Sequence, residues 1–237
     1  MKKQFCIEFL GPPGVGKSYI AQKLYDQLAD SCGHENLSYV KNSTNRTQGA
    51  YLRTVTNSNS TFQVIRILSS CHSARYLFFK MFKILLSGPK TSLLKRVKHL
   101  LGDFRRRCLN PYSEIVILEE GFLKPLDFCF IDMPKNSDFS DISSSSLWPD
   151  LFINVITTPE IILSRNNNRW RQLDVKKLNL SLERWAAVYE VLKKNRIPVI
   201  TVDSSVNVSY NVRLVIDHIK ESGIPPERKF NKLEVTP

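Results

Sequence analysis

The sequence predicts an α/β domain built on a parallel sheet, and three observations lead there. Short apolar runs with the length of buried strands alternate with segments whose apolar residues recur at helical spacing. Residues 11 to 18 read Gly-Pro-Pro-Gly-Val-Gly-Lys-Ser and lie between one such strand and one such helix. They fit the phosphate-binding pattern G-x-x-x-x-G-K-[ST] in the strand–loop–helix context that the pattern requires. Two later apolar runs end in acids, at Glu119-Glu120 and at Asp203. In an open parallel sheet, ligand-binding groups gather at these carboxyl ends of strands.

The elements follow in order. Phe5 to Leu10, interrupted only by Glu8, is the first strand. Ile20, Ala21, Leu24, Tyr25 and Leu28 mark one face of a helix that stops near Ser31-Cys32-Gly33. Leu37 to Val40 makes a short second strand, and the Asn-, Ser- and Thr-rich stretch Asn42 to Asn59 reads as loop. Helical spacing returns over Phe62 to Leu86, breaks at Gly88-Pro89 and resumes over Leu93 to Phe104. Ile115 to Leu118 is a buried strand. Phe122 to Met133 is ambiguous, with a short helix around Pro125, and Ser137 to Ser146 is loop. Leu151 to Ile156 is the fourth strand, and Thr158-Pro159-Glu160 opens a helix with proline in its first turn. Ser181 is expected to cap the next helix, which runs to Lys194. Pro198 to Val202 is the fifth strand and Val212 to Ile219 the last helix. The division expected is one domain over residues 1–222, with a helical acceptor region at 43–112 and a lid region at 164–182. A loose tail follows at 223–237.

Composition narrows the class. A chain of 237 residues with 42% apolar content can bury a real core. The five cysteines are scattered and form no CxxC pair, which suggests neither a zinc site nor a disulfide framework and fits a reducing cytoplasm. No apolar window reaches the length of a membrane span. The net charge is +12, and it is uneven: residues 72–108 hold ten lysines and arginines against one acid, Asp103. That stretch reads as a solvated helix pair, as the wall of a pocket for an anionic acceptor, or as a surface for anionic lipid or nucleic acid.

Residue types assign the chemistry. Glycines let the loop curl with its N–H groups inward, and the two prolines cannot donate. The phosphate donors are therefore the amides of Gly14, Val15, Gly16, Lys17 and Ser18, with Gly11 opening the turn and Tyr19 bordering it. Helix polarity favours phosphate at the same point. Lys17 is expected to reach the β- and γ-phosphates, and Ser18 to bind Mg²⁺. Adjacent acids at a strand end point to opposite sides. Glu119 is therefore assigned to the metal and Glu120 to the acceptor's proton. Arg165 and Arg169 share one helical face. With Arg171, and with Asn166, Asn167 and Asn168 interspersed, they suit a mobile lid that clamps γ-phosphoryl charge.

On these residues the chain resembles the P-loop kinases, is similar to nucleoside and nucleotide monophosphate kinases, and looks most like the thymidylate-kinase-like branch. The resemblance rests on GPPGVGKS, on Ile115–Gly121, on Pro149-Asp150-Leu151, on Thr158-Pro159-Glu160 with Arg165 and Arg169, and on Pro198–Asp203. It implies a five-stranded sheet of order 2-3-1-4-5, a lid, a helical acceptor region between strands 2 and 3, and ATP with Mg²⁺ as phosphoryl donor. It also implies that residues following Asp203 border the base. Two features depart from the pattern. Glu119-Glu120 stands where an Asp-Arg pair is common, and no arginine- and glycine-rich substrate loop follows Val40. Thymidylate is thereby disfavoured as acceptor, and Arg46, Arg53 and Arg66 become candidates to touch an anionic or sugar-like one. A homodimer is a further expectation. The rival reading is a regulatory ATPase whose basic helices bind anionic lipid or nucleic acid.

Overall fold

In a computed structural model, the chain is described over residues 5–40, 68–69, 72–87, 93–94, 97–98, 100–101, 114–119, 121, 123–124, 148–167 and 174–222. Five strands form one parallel sheet: β1 (Phe5–Leu10), β2 (Leu37–Val40), β3 (Ile115–Leu118), β4 (Leu151–Ile156) and β5 (Val199–Asp203). Their order is β2-β3-β1-β4-β5, the α/β arrangement of the P-loop kinases that the resemblance implied. Among the described residues the helices are α1 (Lys17–Cys32), α2 (His72–Ser87), α3 (Pro159–Asn167), α4 (Val175–Lys194) and α5 (Val208–Glu221).

The central strand explains the layering. β1 is buried along its whole length, paired with β3 on one side and β4 on the other. Its side chains alternate between faces. Ile7 and Phe9 enter a core with Ile20, Leu24 and Leu28 of α1 and with Val212, Val215 and Ile219 of α5. Leu10 enters a second core on the opposite face, with Leu77, Met81 and Leu85 of α2 and Trp185, Val188 and Leu192 of α4. Each of these aliphatic side chains contributes roughly 1.5–3 kcal/mol on burial, so the sheet is held from both faces.

Register sets the height of the functional groups. Glu8 is paired with Leu118 and Phe152, and Leu10 with Asn154, so the carboxyl ends of β1, β3 and β4 face the same edge, with β3 ending two residues before the level of Leu10 and β4 two residues beyond it. The loop after β1, Glu119 after β3 and Ser204 after β5 therefore share one edge of the sheet.

Two helix starts differ from expectation. The helix expected to begin at Ser181 begins at Val175, where the Asp174 side chain accepts from the Lys176 N–H at 3.1 Å. Leu178, one turn before Ser181, is buried in the first core, so the apolar face starts earlier than the serine suggested. The last helix begins at Val208, capped by Asn207, whose side chain accepts from the Ser209 N–H at 2.8 Å. The lid region expected at 164–182 thus takes in the end of α3 and the first turns of α4. Much of the acceptor region 43–112, with Arg46, Arg53, Arg66 and Arg105-Arg106-Arg107, and the tail 223–237 lie outside the described residues.

Candidate active site

The loop between β1 and α1 turns on glycines. Gly11, Gly14 and Gly16 all take positive φ, at 127°, 87° and 107°, in the region that disfavours any side chain. Gly16 is the N-cap of α1, so the helix opens directly on the loop. Lys17 is 6% exposed, and its Nζ donates to the carbonyls of Gly11 at 2.6 Å and Pro12 at 2.9 Å. The ammonium therefore lies folded over the loop, a buried charge satisfied by charge-assisted bonds. The Val15 amide makes a long bond to the Pro12 carbonyl, 3.4 Å.

Ser18 and Glu119, 101 residues apart in sequence, meet at the mouth of this loop, where the Ser18 hydroxyl donates to Glu119 Oε1. Tyr39, near the end of β2, completes the cluster. Its one phenol proton faces two acceptors, the Ser18 carbonyl at 3.3 Å and the Glu119 carboxylate. Burial, and then the charge and hydrogen bond of Glu119, push the phenol pKa well above its ordinary value. Tyr39 is thus a protonated donor at neutral pH. Nothing in its sequence context, an apolar strand end, signals that role.

Glu8 is a second residue whose place the sequence does not convey. Its side chain is fully buried in mid-strand, and Oε1 accepts from the Leu123 N–H at 3.1 Å. A Cβ at Gly121 would lie 2.5 Å from Glu8 Oε2, so the chain leaving β3 is drawn tightly over this carboxyl group. Glu8 thereby anchors the turn that carries Glu119.

The end of α3 grips the loop from the other side. Arg165 Nη1 donates to the Val15 carbonyl at 3.0 Å and to Ser204 Oγ at 2.9 Å, while Nη2 donates to the Ser204 carbonyl at 3.1 Å. The Ser204 hydroxyl donates in turn to the Val15 carbonyl. Asn166, 7% exposed, donates to the carbonyls of Ile162 at 2.9 Å and Pro13 at 3.3 Å. A Cβ at Gly14 would fall far inside contact distance of the Asn166 amide nitrogen. Arg165 and Asn166 are therefore fixed struts against the phosphate loop. Glu120, Arg169 and Arg171 lie outside the described residues.

Beside the loop opens a cleft of about 540 Å³, within the range of small-molecule sites. Gly14, Gly16, Tyr19 and Ile20 form one wall, and Arg165, Ser204 and the turn Val206–Val208 the other. The residues following Asp203 thus border a real cavity, at the carboxyl end of β5.

The described residues include no cluster of three or more His, Cys, Asp or Glu side chains able to hold a metal alone. The Ser18–Glu119 pair nonetheless suits Mg²⁺. It presents hard oxygen donors, and Mg²⁺ at nucleotide sites typically takes one or two protein ligands and completes its shell with phosphate and water.

No protein-family model matches this chain, and no curated protein matches it. Among solved structures it is similar to a thymidylate kinase from Ehrlichia chaffeensis, with 13% identity over 91% of this chain and 98% of that one, and a TM-score of 0.40. It is also similar to a deoxyadenosine kinase from M. mycoides with bound dATP, with 15% identity over 91% of this chain and 100% of that one, and a TM-score of 0.46.

Proposed function

We propose that the chain is a phosphotransferase that moves the γ-phosphoryl group of ATP to a small-molecule acceptor in a Mg²⁺-dependent reaction. The observation that carries this reading is the meeting of Ser18 with Glu119 at the mouth of the phosphate loop. Bound there, Mg²⁺ would neutralise charge on the β- and γ-phosphate oxygens.

The chain's own residues supply positioning and charge. Amides between Gly14 and Ser18 face the phosphates at the start of α1. Lys17 exchanges loop carbonyls for phosphate oxygens when nucleotide enters. Arg165 and Asn166 keep the loop in shape, and Arg165 also walls the base cleft. The acceptor hydroxyl oxygen bonds to the γ-phosphorus as the bond from phosphorus to the β–γ bridging oxygen breaks. ADP leaves with that electron pair, Glu120 takes the hydroxyl proton, and Arg169 closes over the transferring group.

A second reading, a nucleotide-controlled switch that docks on anionic lipid, is favoured by one surface. α2 buries Leu77, Met81 and Leu85 completely, yet exposes Phe79 (60%) and Leu86 (52%) on its other face beside Arg75 and Lys83.

The test is ATP consumption by the purified chain with Mg²⁺, against pools of nucleosides, nucleotides and sugars. Lys17→Ala serves as control. The expected outcome is stimulation by one pool and a fall of roughly 10²–10³-fold in the control. Flat consumption across all pools, with turnover appearing only on adding vesicles or polynucleotide, would replace the kinase with the switch.

A further inference from the structure

Alternate carbonyls of the phosphate loop are gripped from outside it. The Pro13 carbonyl accepts from Asn166 Nδ2 at 3.3 Å. The Val15 carbonyl accepts from Arg165 Nη1 at 3.0 Å and from the Ser204 hydroxyl, which occupies both lone pairs of that oxygen. Between them, the Val15 N–H makes its long bond to the Pro12 carbonyl. The Pro13 and Val15 carbonyls are thus drawn outward, toward α3 and the turn after β5.

A trans peptide is planar, so its C=O and the N–H that follows point in opposite directions. Fixing the Pro13 carbonyl therefore fixes the Gly14 N–H, and fixing the Val15 carbonyl fixes the Gly16 N–H. Both N–H groups turn to the side of the loop away from these partners. Unlike the Val15 N–H, neither is held by a described residue. Successive N–H groups turned to one side make the concavity that binds an anion.

The glycines make such a grip necessary. Glycine takes φ of either sign, so a peptide plane beside it can flip at little steric cost. A flip at Val15–Gly16 would present a carbonyl to the phosphate in place of an N–H. The groups gripping Val15 oppose it, and they are seated directly on the glycine. A Cβ at Gly16 would lie 3.0 Å from Ser204 Cβ and 3.2 Å from Arg165 Nη1. Ser204 is itself fixed, its N–H donating to the Ile156 carbonyl at 2.9 Å and its carbonyl accepting from Arg165 Nη2 at 3.1 Å.

From this alternation we infer that Asn166 and Ser204, with Arg165, are positioning residues that hold the Pro13 and Val15 carbonyls outward and so aim the Gly14 and Gly16 N–H groups at the phosphates. The inference rests on the proposed nucleotide-binding reading and specifies its phosphate donors. Gly14 and Gly16 act as a pair set before the ligand arrives, and Val15 is set aside as a donor. Asn166 and Ser204 act through the peptide planes.

The test uses the full chain with Mg²⁺ and tripolyphosphate, a probe without a base, beside ATP. Val15-Gly16 is the only Val-Gly pair in the sequence, and Pro13-Gly14 the only Pro-Gly pair. Carbonyl-labelled valine or proline combined with nitrogen-labelled glycine therefore singles out each amide by NMR. Tripolyphosphate should move both amide protons downfield. Ser204→Ala should reduce the shift at Gly16 and spare Gly14, and Asn166→Ala should do the reverse. Each variant should weaken tripolyphosphate and ATP by the same factor, roughly 2–10-fold, for one lost hydrogen bond. A general loosening of the fold would disturb both amides alike, and a lost base contact would weaken ATP alone. Either result overturns the inference, as do unchanged shifts in both variants. So does an unmoved Gly14 or Gly16 amide in the natural chain, a measurement that needs no variant to fold. ATP binding without tripolyphosphate binding also overturns it, since a nest set in advance holds phosphate without a base. If neither binds, or Lys17→Ala binds them as well as the natural chain, the nucleotide-binding reading itself fails and the inference falls with it.

Discussion

At the scale of single residues, the site depends on atoms held within contact distance by neighbours far away in sequence. Gly14 shows this directly. Its φ of 87° already disfavours a side chain, and Asn166 occupies the space a Cβ would need. Gly14→Ala should therefore lose roughly 1–3 kcal/mol of stability and weaken nucleotide binding, read by thermal unfolding and by titration. Adding Asn166→Ala should recover the steric part of the loss but not the backbone part. Tyr39→Phe tests the cluster around Glu119. Removing the hydroxyl leaves the ring in place but frees the carboxylate it holds. The Mg²⁺ concentration for half-maximal activity should rise roughly 10–100-fold, the usual range when a ligand's supporting hydrogen bond is lost. An unchanged Mg²⁺ profile in a folded Tyr39→Phe protein would detach Tyr39 from the metal site.

At the scale of elements, the legible signals were the periodic ones. The apolar runs placed all five strands, β1 and β3 most plainly, because a strand buried on both faces has few ways to be written. The phosphate loop was legible because its glycines answer to backbone geometry rather than to tertiary context. Helix starts were less so. Ser181 looks like a cap by residue type, yet Asp174 performs that role, since Leu178 must reach the core one turn earlier. Asp174→Ala should cost about 1 kcal/mol of stability, and Ser181→Ala much less, in a denaturant titration of each variant. Equal losses would put the cap back at the serine. Arg165 shows the other limit. Its spacing from Arg169 suggested a moving clamp, while its contacts with Val15 and Ser204 make it a brace between the loop, α3 and the end of β5.

At the scale of the whole molecule, the charge distribution poses the open choice between catalyst and switch. Among the described residues no helix is long and apolar enough to cross a membrane. α2 nevertheless presents Phe79 and Leu86 beside Arg75 and Lys83 on its exposed face. If the switch reading holds, the chain should sediment with vesicles rich in anionic lipid and not with neutral ones. Release by salt, and loss of sedimentation in the Phe79→Ala/Leu86→Ala variant, should follow, at about 1 kcal/mol per basic residue near the surface. Equal sedimentation of the variant and the natural chain would exclude this face as the docking surface.

The division between sequence and tertiary structure follows from the range of the forces involved. Strand and helix identity, the phosphate loop and its lysine are set by local rules: side-chain period, glycine's conformational freedom and helix polarity. Those rules operate within a few residues, so the sequence alone determined them. The meeting of Ser18 with Glu119, the Tyr39 donor, the buried Glu8 under Gly121 and the struts from Arg165 and Asn166 to the loop join positions from 21 to 153 residues apart. Only the sheet order and register bring such groups to one edge. Their partners exist as partners only once the core has excluded water and left each polar group a single place to bond.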